Sequence, residues 1–154
     1  FENGVNAIYG NAVASLELSG LELNDEHAAA LSKALKSNSS LEELNFEDNK
    51  IGVAGAQSLA NMLQFNKALI SAKLGRNKIG DEGAIAISAA LESNTTLGGL
   101  SLKGSSAGNK ITGVGAKAIA KMLVVNRALT RLDLISNEIG AGGAKAIADS
   151  LPQS

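Results

Sequence analysis

The stretch Leu41-Glu-Glu-Leu44-Asn-Phe46-Glu-Asp-Asn49-Lys-Ile51-Gly52 returns as Leu69…Leu74…Asn77-Lys-Ile79-Gly80, and again as Leu129-Thr-Arg-Leu132-Asp-Leu134-Ile-Ser-Asn137-Glu-Ile139-Gly140. Copies begin at Val13, Leu41, Leu69, Leu97 and Leu129, in steps of 28, 28, 28 and 32 residues. A fixed period of this size means stacked supersecondary units. Such a stack displays a long, regular surface rather than an enclosed pocket.

Each copy opens with apolar residues at its first, fourth and sixth positions, as in Leu41, Leu44 and Phe46. The last two lie one residue apart and so point to one side of a short strand, leaving their neighbours to face solvent. A turn containing Asn49 follows, then a segment with Ala56, Leu59, Ala60 and Leu63 at i, i+3, i+4 and i+7. That spacing predicts a helix with one apolar face. Ala116, Ile119, Ala120 and Leu123 repeat the pattern, as do Ala144, Ile147, Ala148 and Leu151. Strand, turn, helix and return within one period require parallel strands in a single sheet. Helices are about 10 Å across and strands about 4.8 Å apart, so the sheet curves with its strands inside. The expected fold is α/β, a right-handed solenoid with a parallel sheet on the concave face and helices on the convex face.

The string L-x-x-L-x-L-x-x-N-x-I-G-x-x-G-A-x-x-I-A-x-x-L resembles a leucine-rich repeat of the ribonuclease-inhibitor-like class, from residue 13 to 154. Five repeats are expected at 13–40, 41–68, 69–96, 97–128 and 129–154, after a degenerate edge segment over 1–12. Three departures stand out. The first repeat has Leu21 in place of the turn asparagine and His27 in place of the glycine at Gly55, Gly83, Gly115 and Gly143. The third has Ala72 for a strand leucine, and the fourth carries four extra residues before Asn109. Ala118-Ile-Ala-Lys-Met122-Leu-Val-Val-Asn126, together with an insertion, is similar to the actin-capping repeat domain of tropomodulins.

Composition narrows the function. Aromatics are 3% of the chain, too few for the stacking platforms of single-strand nucleic-acid binders. There is no cysteine, which excludes disulfide and thiolate chemistry and favours a reducing, cytoplasmic location. No run of about 18 apolar residues spans a membrane. The chain opens on Phe1 rather than Met, which predicts a processed protein or a part of a longer one. Residues 1–68 carry nine acids and four bases, whereas 69–154 carry six and ten. A dipolar solenoid of this kind can steer a charge-asymmetric partner, or associate head to tail with itself through uncapped ends.

Candidate chemistry is sparse. Asn49, Asn77, Asn109 and Asn137 are expected to point inward and bond the turn backbone, since buried polar backbone needs partners. Gly113-Val-Gly115 matches a relaxed dinucleotide fingerprint, but similar glycines recur in other repeats, so close helix packing explains them. Asn38-Ser-Ser and Asn94-Thr-Thr are formal glycosylation acceptors. Asn38, Asn66, Asn94 and Asn126 all fall at helix ends, where left-handed asparagines cap. His27 is the only histidine, and with no cysteine the chain offers neither a metal site nor a nucleophile–base pair. Lys117 and Lys121 read as a solvated outer face. No enzyme activity, cofactor or metal is expected.

The expected function is a non-catalytic protein-interaction module, part of a larger protein, as the resemblance to cytosolic innate-immune sensor repeats implies. Its partner-binding residues are the concave Glu17, Glu43, Asn45, Glu47, Asp48, Lys73, Arg76, Lys103, Arg131 and Asp133. The inserted loop Gly104, Ser105, Ser106, Ala107 and Gly108 adjoins that face, and insertions in solenoids map to loops that often bind. The alternatives that the resemblances imply are a tropomodulin-like actin-binding domain and a GTPase-activating repeat protein. A protein partner is expected, with no nucleic acid and no membrane.

Overall fold

The structure, a computed structural model, describes residues 13–152; the segment 1–12 read above as an N-terminal edge lies outside the described residues. Strands and helices alternate: β1 (Ser15–Glu17), α1 (Asp25–Leu35), β2 (Glu43–Asn45), α2 (Val53–Phe65), β3 (Ser71–Lys73), α3 (Gly80–Leu91), β4 (Gly99–Ser101), α4 (Gly113–Val125), β5 (Arg131–Asp133) and α5 (Gly140–Ser150). The strands form one parallel sheet in sequence order. Each strand pairs with the next without slip, so Ser15, Glu43, Ser71, Gly99 and Arg131 form one row and Glu17, Asn45, Lys73, Ser101 and Asp133 another. The fold is the curved leucine-rich-repeat solenoid that the period implies. No helix among the described residues is long and apolar enough to cross a membrane.

The core lies between sheet and helices. Leu44, Phe46, Leu59 and Leu63 of the second repeat are all at most 2% exposed. Ala72, standing where other repeats have leucine, is equally buried at 1%. Helices approach closely because α2 to α5 each carry glycine on the side facing the preceding helix. A Cβ at Gly83 would stand 2.8 Å from Ala56 Cβ and 2.5 Å from Ile79 Cγ2. The glycines therefore serve helix packing, as their recurrence suggests.

The turn asparagines do point inward. Asn49 Oδ1 accepts from the N–H groups of Leu21 and Leu23, and its Nδ2 donates to Leu18 and Phe46 carbonyls. Asn77, Asn109 and Asn137 repeat these bonds one junction at a time. The helix-end asparagines behave differently from the left-handed caps expected. Asn66 and Asn126 have extended backbones, φ −66° and −71°. Their Oδ1 atoms accept from the N–H groups two and three residues further on, and Nδ2 reaches back to a carbonyl ending the preceding helix, Leu35 or Leu91. A helix leaves its last carbonyls unpaired, and the neighbouring repeat supplies the donor. Asn94 does the same to Leu63 and is 3% exposed, so its amide is committed to the fold rather than open to a glycan. Left-handed backbone occurs instead at Glu22, Asp48, Arg76, Lys110 and Ser136, in the strand-to-helix turns.

A second tie joins consecutive helices at alternate junctions, α1 to α2 and α3 to α4. Asp25, in the first turn of α1, accepts from the N–H of Gly52 at the start of α2. Asp81, in the first turn of α3, accepts from the N–H groups of Thr112 and Gly115 and from the Thr112 hydroxyl. Desolvation pushes the Asp81 pKa up, but the bonds from Thr112 and Gly115 outweigh it and hold the carboxyl below its ordinary value. A lowered folded pKa means that the stabilisation is fully present above the unfolded value of about 3.9 and fades as pH falls through the folded one. Asp81→Asn is expected to cost about 1 kcal/mol at neutral pH, as loss of a helix cap does. That deficit should shrink below about pH 3.9. Urea melts of both proteins from neutral pH to pH 3 check this, and a pH-independent gap would count against it.

Candidate partner-binding surface

Side chains between the buried strand positions face the concave side, and the register brings residues of all five strands into adjacent columns. Glu17, Glu43, Lys73 and Arg131 are exposed there, and Asn45 and Asp133 are half-buried. Glu47 and Lys103 lie just past β2 and β4, where the ladder continues: Asp48 N–H donates to Gly75 and Arg76 N–H to Lys103. Asp48 and Arg76 themselves stand further out. Both have left-handed φ, 56° and 53°, on turns at the strand-to-helix edge rather than on the strand face.

Several of these side chains are held rather than loose. Asn45 Nδ2 donates to Glu17 at 2.9 Å across the β1–β2 boundary, and Ser19 N–H donates to the same carboxylate. The bonds from Ser19 and Asn45 keep the Glu17 carboxyl below its usual range. Glu47 reaches further. Ser101 Oγ donates to it at 3.2 Å, although β3 lies between them. Glycine permits the crossing: a Cβ on Gly75 would stand 2.8 Å from Glu47 Oε1. In the same manner Arg131 lies over Gly99, with Nη2 3.6 Å from where a Cβ would be, and a Cβ there would stand 3.5 Å from Ser71 Oγ. The result is a shallow open groove of about 410 Å³ that includes Ser71, Lys73, Gly99, Ser101, Arg131 and Asp133. Among the described residues the ion pairs are Lys50–Glu22 and Lys145–Asp149; Lys73, Lys103 and Arg131 form none, although the Lys73 charge helps to hold the Glu17 carboxyl down.

The charge gradient is sharper than halves of the chain suggest. Residues 97–128 contain five bases and no acid: Lys103 on the groove side, Lys110 in the turn, Lys117 and Lys121 on α4 and Arg127 beyond it. Two acidic repeats are therefore separated from one wholly basic repeat by a third, in 69–96, whose three acids and three bases balance.

The inserted loop is a compact turn. Gly104 N–H stays in the ladder, donating to Ile135, and Gly108 N–H donates to Ser105 at 3.1 Å. Gly104, Gly108 and Asn109 are buried, which leaves Ser106 and Ala107 as the exposed tip. His27 belongs to the α1 cap, its Nδ1 accepting from Asn24 N–H at 3.2 Å. Among the described residues no group of three or more His, Cys, Asp or Glu is placed to hold a metal ion. Sequence reasoning placed Glu43, Lys73, Arg131 and Asp133 on this face but did not find the two crossings over glycine. Gly75, flanked in its column by Glu47 and Lys103, was the available signal.

A search of curated proteins returned no match. Among solved structures, the chain is similar to leiomodin-1 actin-binding site 2, at 24% identity and TM-score 0.83, over 98% of this chain and 87% of that one. It is also similar to a tropomodulin C-terminal domain of Caenorhabditis elegans, at 12% identity and TM-score 0.78, over 97% and 90%. Both likenesses concern the fold. A leucine-rich-repeat model matches 107–120 and 125–148, and the TMOD/LMOD leucine-rich domain model matches residues 4–112. With most of its length matched in this way, the chain belongs to the tropomodulin/leiomodin leucine-rich domain family.

Proposed function

We propose that this chain is a non-catalytic interaction module that binds actin through its concave strand face and the adjoining loops, in the cytoplasm. The match of residues 4–112 to the tropomodulin/leiomodin domain carries the reading. It moves the tropomodulin-like alternative ahead of the immune-sensor likeness. The overlay on a leiomodin actin-binding site along nearly its whole length supports it. So does the groove, whose exposed groups are charges and hydroxyls rather than the aromatic anchors of tight interfaces. Recognition of this kind acts through complementary charge, so it should weaken as salt rises.

Co-sedimentation with filamentous actin at low and raised salt tests the proposal. The comparison is with a variant in which Glu43, Glu47 and Asp48 become Lys while Lys73 and Arg76 become Glu. All five side chains are exposed or half-buried, so the variant should fold. The expected result is salt-sensitive binding by the wild type and at least about a tenfold loss in the variant, one decade per 1.4 kcal/mol of interaction removed. Equal binding by both proteins would move the site to the Gly104–Gly108 turn or the helical face. No binding by either would overturn the actin reading.

A further inference from the structure

A buried hydroxyl on α1 has no partner and borders a groove. Ser32 is 6% exposed, its Oγ is sealed from solvent, and no hydrogen bond reaches it. Folded proteins leave few buried polar groups in this state, because each costs its desolvation without return. A helical serine commonly bonds the carbonyl one turn back, as Ser58 does to Ala54 at 3.1 Å. Ser32 does not. It lies instead in the lining of a groove of about 310 Å³ between α1 and α2, on the convex side, with Ala29, Lys33, Lys36, Ser58 and Asn61.

The groups around that hydroxyl are donors. Lys36 crosses from the end of α1 toward α2, where its Nζ donates to Asn61 Oδ1 at 3.4 Å and stands 4.3 Å from the centre of the Phe65 ring. These two contacts hold the ammonium at the groove. With Oδ1 taken, Asn61 offers its Nδ2, a further donor. Lys33 adds a second cation at the rim, and among the described residues neither lysine enters an ion pair. No acid occurs over 27–41 or 49–80, so α1 beyond its first turn and the whole of α2 add no negative charge. The Leu35 carbonyl at the end of α1, which would repel an anion, is engaged by Asn66 Nδ2 at 2.7 Å.

The combination belongs to this junction. Where the first repeat has Ser32, Lys33 and Lys36, the second has Ala60, Asn61 and Gln64, the third Ser88, Ala89 and Glu92, and the fourth Ala120, Lys121 and Val124. The next groove along, between α2 and α3, is lined by amides and alanines without a cation.

We propose that the α1–α2 groove binds a phosphate dianion, free or as a monoester. Lys33 and Lys36 balance its two charges, Ser32 Oγ donates to one oxygen and Asn61 Nδ2 to another. Bonds of this charge-assisted kind are stronger than the long Lys36–Asn61 contact, so the anion displaces Asn61 Oδ1 from Lys36 and reaches the hydroxyl below. A carboxylate has one charge for two lysines and two oxygens for four donors, and so fits less well. The site lies on the helices, away from the concave strand face, and does not depend on what that face binds.

Proton–nitrogen correlation spectra of the 154-residue chain test this, titrated with sodium phosphate at slightly alkaline pH against sodium chloride of equal ionic strength. Backbone signals of Ser32, Lys33, Lys36 and Asn61 should shift and saturate with a dissociation constant of about 1 mM or tighter. Phenyl phosphate should act at the same signals; the tighter of the two ligands tells whether the group arrives on an ester or free. Ser32→Ala and Lys36→Gln should each weaken binding about tenfold or more, the loss of one charge-assisted hydrogen bond. Ser32→Ala should nevertheless match or exceed the wild type in urea stability without phosphate, since it removes an unpaired buried group and alanine stands there in the second and fourth repeats. Shifts that fail to saturate, or that chloride or acetate reproduces, overturn the proposal. So does Ser32→Ala binding as tightly as the wild type, which would reduce the site to surface charge, or Ser32→Ala proving less stable, which would give the hydroxyl a partner within the fold.

Discussion

Asn77→Leu is expected to destabilise the chain by about 3–5 kcal/mol, since several buried backbone groups lose their partner at once and each unsatisfied group costs about 1–3 kcal/mol. Asn77 is 1% exposed. Its Nδ2 donates to the carbonyls of Phe46, Leu74 and Gly75, and its Oδ1 accepts from Ile51 N–H at 3.0 Å. Leucine keeps the branched outline without polar atoms, and because its methyl groups are larger than the amide oxygen and nitrogen, some overpacking adds to the lost hydrogen bonds. In a chain of this size such a loss lowers the melting temperature by roughly 10 °C. Asn137→Leu is the control. It makes equivalent bonds to Leu102, Leu134 and Ile111, but it is half-buried in the last repeat, where water can replace it. Its cost should stay below about 1.5 kcal/mol, the net worth of an ordinary hydrogen bond. Urea denaturation followed by circular dichroism distinguishes the two. Equal losses would mean that the ladder contributes through something other than buried amide bonds.

Phe46→Ala should cost about 3–5 kcal/mol through lost burial and the cavity left behind. Phe46 is 0% exposed and fills the strand position that Leu18, Leu74 and Leu102 occupy in other repeats. Its carbonyl also accepts from Asn49 and Asn77, so a backbone shift at this point would disturb two ladder residues together. Phe46→Leu matches the other repeats and should cost less than about 1.5 kcal/mol. If both substitutions cost the same, the site relaxes around its occupant and the second repeat is not tightly packed. Because each repeat touches only its neighbours, denaturation of Phe46→Ala should also broaden as the stack loses cooperativity at its second unit.

Particular residues show how far the sequence could be read. The apolar positions Leu41, Leu44 and Phe46, the helix face Ala56, Leu59, Ala60 and Leu63, and the inward Asn49 were all legible. The reason is local: a polar residue closing an apolar strand has only backbone to bond, and every interior repeat meets the same surroundings. The spacing of 28 residues then determined the parallel sheet, its curvature and the columns of the concave face. It was enough to place Glu43, Lys73, Arg131 and Asp133, which line the groove, on the concave face.

Other features depend on what lies across a junction. Asn66 and Asn126 read as left-handed caps, but their side chains span to the preceding helix, and that reach needs an extended backbone. Glu47 passes over Gly75 to Ser101, 54 residues away, and Asp81 caps a helix 31 residues on. No period announces such partners, because they are set by the distance between repeats after the sheet has curved. Nor does the pattern distinguish Leu134 from Leu102. Both occupy one position in one motif, and one is sealed while the other is half-exposed. The sequence by itself determined the repeat, its elements and the face on which charges gather. Only the tertiary structure decided which side chains bridge repeats and which leucines stay open, since burial belongs to a neighbour's presence and not to a residue's own place in the repeat.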